Sequence, residues 1–123
     1  MFANITSEQT TLRSGALRCT RFALDSEMAT ERPRAVPNTQ IDNKRVIVTE
    51  WRFAPGAETG WHKHNYDYVV VPGLTGNLLI ESSEGAVIAE LVAGQSYFRP
   101  IGVEHNVINA NDFEFHFVEI ELR

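Results

Sequence analysis

Hydrophobic and polar residues alternate along most of the chain after residue 45, in short runs separated by glycine, proline, asparagine and aspartate. The segment VIVTEWRF predicts a strand whose inner face carries Ile47, Thr49, Trp51 and Phe53. Further runs of the same kind are WHKHNYDYVVV, NLLIES, AVIAEL, SYFRP, HNVINA and FEFHFVEIEL. Short strands at short intervals, with turn residues between them, predict an all-β antiparallel sandwich or barrel without helices after residue 25.

The last run, FEFHFVEIEL, has the clearest alternation in the chain, but its phase changes where Phe117 and Val118 adjoin. Two adjacent apolar side chains in a strand predict a bulge or a change of pairing partner at that point. His116 lies opposite the phenylalanines in this pattern, so we expect its ring to face solvent.

The first forty residues differ from the rest of the chain in their pattern of hydrophobic and polar residues. Residues 1–40 are predicted to form an N-terminal arm and linker, with one strand at 16–24. The segment DSEMATERPRAVPNTQIDNK, residues 25–44, has two prolines and many polar residues, which predicts a surface connection. Residues 41–123 are predicted to form the barrel.

Composition limits the classes of function. A chain of 123 residues fits one domain, and its net charge of −5 with no Lys/Arg run argues against nucleic-acid or membrane partners. Cys19 is the only cysteine, so no intramolecular disulfide can form, and we expect a cytoplasmic protein. The N-terminus does not have the pattern of a signal peptide, and no apolar run approaches the roughly 20 residues of a membrane helix.

Two histidines in the segment GWHKHNYDYVVVPG are the first candidate functional residues. His62 and His64 are two positions apart, so on a strand both rings point to one face, where they can converge on a metal ion. An isolated H-x-H is a weak signal, because a pair of surface histidines on an edge strand has the same spacing.

A wider spacing pattern surrounds these histidines. It consists of Gly56, His62 and His64 in one segment and of Gly94, Pro100, Gly102, His105 and Asn109 in another. The pair of segments resembles the two signature motifs of the cupin superfamily, over residues 41–123. The resemblance implies a small antiparallel jelly-roll barrel in which His62, His64 and His105 hold one divalent metal ion. It also implies turn glycines at 56, 73 or 76, 94 and 102. The same block resembles the small cupins of bacterial β-alanine degradation clusters.

The first motif departs from the family at Tyr68, where cupins usually have a glutamate ligand. Strand parity predicts that Tyr66 and Tyr68 face the cavity and that Asp67 points away. We interpret Tyr68 as a catalytic candidate that donates from a neutral hydroxyl to substrate or bound water. A phenolate ligand and a simply packed tyrosine are the alternatives.

Three neutral imidazoles leave a divalent ion close to its full charge, so the site should attract a small organic anion. Fe is the preferred metal by analogy with three-histidine oxygenases of the family, with Zn or Ni as alternatives. Arg52 and Arg99 could clamp a carboxylate, although a surface role is the simpler interpretation of both.

These observations leave three hypotheses. The protein is a metal-dependent oxygenase, isomerase or lyase of a small organic acid, a non-catalytic binding or sensor cupin, or a barrel that has lost its metal. We also expect a homodimer, because small barrels have edge strands that need covering.

Overall fold

The computed structural model describes residues 31–123, which form nine β-strands and no helix. The strands are β1 (Val36–Asp42), β2 (Val46–Phe53), β3 (His62–Lys63), β4 (Asp67–Pro72), β5 (Gly76–Ser82), β6 (Gly85–Leu91), β7 (Tyr97–Arg99), β8 (Glu104–Asn109) and β9 (Phe115–Leu122). All strand pairs are antiparallel, so the predicted all-β antiparallel fold is confirmed. The predicted strand at 16–24 and Cys19 lie outside the described residues. Residues 31–123 therefore contain no helix that is long and apolar enough to cross a membrane.

Two sheets enclose the interior. One has five strands in the order β1-β2-β9-β4-β7, and the other has four in the order β3-β8-β5-β6. Between them lie buried aromatic and aliphatic side chains, and the rings of Phe53 and Phe117 are 5.4 Å apart. Asn109 is a buried polar residue of this core, and its amide donates to the carbonyls of Phe53 and Phe113. The second motif therefore ends on a side chain that ties β8 to the end of β2.

Strand β1 lies where the sequence predicted a surface connection. All seven of its residues are exposed, so no hydrophobic alternation marks it, and it pairs with β2 at the edge of the sheet. Pro37 is tolerated there because an edge strand has one side without a partner. The pairing slips between Thr39 and Ile41, which places a bulge in this edge strand.

Of the two alternatives predicted near Phe117 and Val118 in β9, the bulge is wrong, while the pairing partners do change there by the addition of one strand. Its pairing with β2 is continuous from Phe115 to Leu122, and a second partner, β4, joins at Phe117. Because alternate residues of an unbroken strand share a face, Glu119 and Glu121 lie on the inner face with the phenylalanines. This placement brings two carboxylates toward the interior.

The prediction of a solvent-facing His116 is also wrong. Its ring is half-buried and lies against Gly73, where a Cβ atom would collide with the imidazole. Gly73 is thus required for close approach, and its backbone N–H donates to the His116 carbonyl over 3.0 Å. The predicted turn glycines at 56, 94 and 102 have φ angles of 77°, 77° and 98°.

Candidate metal centre

The segment WHKHNYDYVVV forms two strands, whereas the sequence predicted one. The chain pairs at His62–Lys63, bends at residues 65–66 and resumes as β4 at Asp67. Because of this break, the prediction that Tyr66 faces the cavity is wrong, and Tyr66 is absent from the cavity lining. The Arg123 guanidinium instead lies over the Tyr66 ring, 5.7 Å from the ring centre. Asp67 points away from the site as predicted and accepts a hydrogen bond from the backbone N–H of Ile101.

Backbone pairing brings the three histidines together. His62 lies directly opposite His105 in the β3–β8 ladder. The N–H of His64 donates to the Val103 carbonyl over 2.8 Å, and the His64 carbonyl accepts from Gly102 over 2.9 Å. Gly102 makes this turn with a positive φ of 98°, a conformation that glycine adopts without steric cost. The loop before β8 therefore holds His64 beside the other two rings.

The ring nitrogens converge on one point. The Nε2 atom of His64 lies 3.1 Å from that of His62 and 3.3 Å from that of His105. With metal–nitrogen bonds of about 2.1 Å, ligand atoms at octahedral or tetrahedral angles lie about 3.0–3.4 Å apart. A single proton can bridge only one of the two short contacts, so a shared cation satisfies the lone pairs better than hydrogen bonds do. The donor set fits a divalent transition metal, and binding by these residues stays a prediction.

A network behind His62 fixes its tautomer. Nδ1 lies 2.8 Å from the Gly60 carbonyl, which can only accept, so Nδ1 carries the proton and Nε2 offers its lone pair. The Gly60 N–H in turn donates to the buried side chain of Asn106, whose amide group donates to Glu58 and Glu81. Such support of the outer nitrogen orients a metal-binding imidazole.

Two of the imidazoles are held neutral. Burial lowers the pKa of His64 to about 3, with electrostatic contributions from His62 and His105. Burial also lowers the pKa of His105 to about 4, helped by His62 and Arg99. Neutral imidazole is the metal-binding form, so a cation entering the site at neutral pH displaces no proton from these two rings.

Tyr68 supports His64 through its ring. The two rings are stacked, with centroids 3.8 Å apart and planes inclined by 17°, and only 2% of Tyr68 is exposed. Burial, followed by the charge of Glu119, raises the Tyr68 pKa above its ordinary value. This shift disfavours the phenolate alternative. Tyr68 lines the cavity, and a catalytic role for its hydroxyl stays a prediction.

Two carboxylates that the sequence pattern did not predict lie beside His64. Oε2 of Glu119 lies 3.8 Å from His64 Nε2, and Oε2 of Glu121 lies 3.8 Å from His64 Nδ1. Burial and then the charge of Glu121 raise the Glu119 pKa to about 7, against an opposing hydrogen bond from Trp51. The Glu121 pKa is also raised by burial, with Arg123 and His62 opposing.

Strict parity through FEFHFVEIEL is the signal that could have found these glutamates. Counting by two from Phe115 reaches Phe117, Glu119 and Glu121, whereas a phase change at Phe117 and Val118 would turn both carboxylates outward. Polar side chains at inner positions of a strand indicate a site inside a barrel.

A cavity of about 130 Å³ lies inside the barrel beside the histidines. Its polar lining includes Thr59, His62, Tyr68, Tyr97, Arg99, His105 and Glu119, and its apolar lining includes Val70, Leu78, Ile80, Val107 and Phe117. Arg99 is exposed, as the predicted surface role requires, but it also lines the cavity. Arg52 has that surface role, since it is exposed and pairs with Glu50 over 3.2 Å. The volume is well below the roughly 300–1,000 Å³ of drug-sized pockets, which fits a small metabolite.

Comparison with known proteins agrees with this architecture. The family model described as a cupin domain matches residues 49–121. The chain is 65% identical over 92 residues to the β-alanine degradation protein BauB of Pseudomonas aeruginosa, covering 75% of this chain and 97% of the relative.

Solved structures give the same result. A cupin domain from Bordetella pertussis is 63% identical with a TM-score of 0.76, covering 77% of this chain and 99% of that chain. The polyketide cyclase RemF of Streptomyces resistomycificus shares the fold at 20% identity and a TM-score of 0.58, over 76% of this chain and 70% of that one. The matched motifs, the barrel and these relatives show that the chain belongs to the cupin family.

Proposed function

We propose that this cupin binds a divalent transition metal ion through His62, His64 and His105 and takes a small organic anion into the adjoining cavity. The observation that carries the proposal is the convergence of the three Nε2 atoms, at 3.1 and 3.3 Å, beside that cavity. Imidazole ligands suit Fe, Zn and Ni, and Fe is the preferred ion by the three-histidine analogy.

The charges around the cavity support an anionic ligand. Arg99 lines the cavity, and within residues 31–123 no carboxylate lies within ion-pairing distance of its guanidinium. Arginine binds a carboxylate with two parallel hydrogen bonds, so Arg99 can orient one end of a small acid. The apolar side chains of the inner barrel then surround the rest of the molecule and exclude water.

The name of the Pseudomonas aeruginosa relative, a β-alanine degradation protein, narrows the proposed ligand to small carboxylates related to β-alanine. A bound metal ion would supply a Lewis acid with open coordination positions. The favoured activity is therefore oxygenation, isomerisation or lysis of such an acid. A cupin that binds the acid without converting it is the alternative. The cytoplasmic location and the absence of nucleic-acid and membrane partners stay predictions from the sequence.

Metal content tests the site directly. Protein purified without chelators should contain about one transition-metal ion per chain by elemental analysis. His105→Ala removes one of three nitrogen ligands and should abolish metal retention while the barrel stays folded. His116→Ala is the matched control, because His116 lies against Gly73 away from the cavity and should leave the metal content unchanged. Wild-type protein without stoichiometric metal, or His105→Ala with full occupancy, would refute the proposal.

Turnover separates the enzyme from the binding protein. The metal-loaded protein is incubated with a panel of small carboxylic acids, and oxygen uptake and acid consumption are followed. Consumption that is lost in His105→Ala identifies an enzyme. Saturable binding of an acid without consumption identifies the binding or sensor alternative.

A further inference from the structure

Glu119 is a buried carboxylate without a permanent cationic partner among residues 31–123. Its side chain is 12% exposed, and in the described part of the chain the one basic group within 4 Å is the imidazole of His64 at 3.8 Å. A carboxylate removed from water is costly unless a cation or several hydrogen bonds compensate it. The position of Glu119 therefore calls for a positive charge that residues 31–123 do not themselves supply.

The geometry points to Glu119 as the carboxylate of the metal site, in place of the glutamate that the motif lacks at Tyr68. This inference rests on the metal site proposed above. His64 belongs to two groups of potential ligands, one with His62 and His105 and one with Glu119 and Glu121. In each group the ligand atoms lie within 4.8 Å of one another, so one imidazole joins the histidines to the carboxylates.

Distances separate the roles of the two glutamates. Glu119 faces Nε2 of His64, the nitrogen that also faces the other histidines, whereas Glu121 faces Nδ1 on the other side of the ring. Ligand atoms of one ion with bonds of about 2.1 Å lie roughly 3.0–4.2 Å apart, and the 3.8 Å between Glu119 and His64 falls in this range. The four side chains do not form one group, so Glu119 has to turn toward the histidines when the ion binds.

Glu121 is placed to act through His64. A carboxylate on the outer nitrogen of a metal-binding histidine orients the ring and raises its basicity. Glu121 is therefore a positioning residue, and its loss should weaken the metal less than the loss of Glu119. Both residues come from β9, a strand outside the two histidine motifs, so a third part of the barrel contributes one ligand and one positioning residue to the proposed site.

A carboxylate ligand changes the charge of the site. Three imidazoles and a divalent ion carry two positive charges, and Glu119 reduces this to one. The ion is then held more tightly, while an incoming anion is attracted less by the ion alone. Recognition of the ligand carboxylate would depend correspondingly more on Arg99.

Isosteric substitutions test the assignment with the metal alone as probe. Zn²⁺ is titrated in competition with a chelator into the variants Glu119→Gln and Glu121→Gln. The matched control is Glu50→Gln, on the outer face of the same sheet. We expect the dissociation constant to rise at least tenfold in Glu119→Gln, less in Glu121→Gln and not at all in Glu50→Gln. The visible spectrum of the Co²⁺-loaded protein should change in Glu119→Gln, because the ligand set has changed.

The outcomes distinguish this inference from the proposed function. Wild-type protein that does not bind Zn²⁺ would overturn both. A second outcome would overturn only the role of Glu119. In that outcome His105→Ala abolishes Zn²⁺ binding, whereas Glu119→Gln keeps the wild-type affinity and Co²⁺ spectrum. Removing the buried charge should not unfold the barrel, and circular dichroism of each variant checks this. If Glu119→Gln does unfold, Glu119→Asp provides the same titration with the charge kept, and unaltered affinity and spectrum there would contradict direct coordination.

Discussion

The ring of Tyr68 lies flat against the imidazole of His64, with centroids 3.8 Å apart and planes inclined by 17°. The position at which the cupin motif usually has a metal-binding glutamate is thus used to hold a neighbouring histidine in place. Two substitutions separate the contribution of the Tyr68 ring from that of its hydroxyl.

Tyr68→Phe should keep both the fold and the metal, because the stacked ring remains. Tyr68→Ala should lower the free energy of unfolding by about 3 kcal/mol, as expected for deletion of a buried aromatic ring. It should also weaken metal binding, since His64 loses its support. Urea denaturation and chelator competition measure the two effects. If Tyr68→Phe retains metal but loses turnover or ligand binding, the hydroxyl has the predicted catalytic role. Weakened metal binding in Tyr68→Phe would instead contradict the expectation that the stacked ring alone supports the metal site.

Asn106 should matter to the metal site although it does not contact it. Its carbonyl oxygen accepts from Gly60 over 2.9 Å, and the Gly60 carbonyl accepts from His62. Asn106→Ala leaves the Gly60 N–H without its acceptor and removes one donor from each of Glu58 and Glu81, which keep their ion pairs with Arg32. The loss should lower the free energy of unfolding by about 2 kcal/mol.

The same substitution should raise the metal dissociation constant roughly tenfold, in the range found for lost outer-sphere partners of metal ligands. Chemical denaturation and metal titration provide the measurements, with the exposed Asn38→Ala as control. Normal metal affinity in a folded Asn106→Ala would show that the Gly60 carbonyl orients His62 without this support.

Arg99 and Arg52 form a matched pair for testing anion recognition. Arg99 lines the cavity, and Arg52 pairs with Glu50 on the outside of the barrel. If the ligand is a small carboxylate, Arg99→Gln should weaken its binding roughly tenfold or more, since a charge-assisted hydrogen bond contributes about 1.5–3 kcal/mol. Arg52→Gln should have no effect in the same calorimetric titration. Equal affinities for wild type and Arg99→Gln would remove Arg99 from the binding site.

The sequence predicted those features that leave a periodic or spaced signal. Strands such as β2 were found because one face is buried, and the histidines were found because the motif spacing is distinctive. Strand β1 was missed because all its residues are exposed, and an exposed edge strand has no alternation to detect.

The carboxylates were missed for a related reason. Glu119 and Glu121 occupy inner positions, where a hydrophobicity pattern predicts apolar residues, so that pattern does not mark them as part of a site. The break after His64 escaped prediction because it depends on backbone pairing with the loop at Gly102 and Val103, which is far away in sequence. Polar residues inside a barrel are thus the positions at which a hydrophobicity pattern fails.

A homodimer is expected from the edges of the two sheets. Among the described strands, β1 and β7 end one sheet and β3 and β6 end the other. Strand β6 exposes Val87 by 63% and Ile88 by 56%, and an unpaired apolar edge tends to pair with another chain. Size-exclusion chromatography with light scattering at micromolar concentration should give the mass of two chains, and Ile88→Lys should shift this toward one. A wild-type monomer would contradict the prediction.

The pH dependence of stability in the metal-free protein should depend on Glu119. The lowered pKa values of His64 and His105 mean that the unfolded chain binds more protons from about pH 4 to 6.5, so these rings make stability rise with pH there. The raised pKa of Glu119, about 7, has the opposite sign. Between about pH 4.5 and 7 the folded state binds more protons, and stability falls because the carboxyl ionises in the unfolded chain while it stays protonated in the folded one.

Glu119→Gln removes only the second contribution. Its free energy of unfolding should therefore rise more steeply with pH between 5 and 6.5, and at pH 7.5 it should exceed the wild type by on the order of 2 kcal/mol. Urea denaturation in the presence of a chelator at several pH values measures both curves. Saturating metal should cancel much of the difference at pH 7.5, because the ion stabilises the ionised carboxylate that glutamine lacks. Parallel curves for wild type and Glu119→Gln would mean that the buried carboxyl is already compensated without metal.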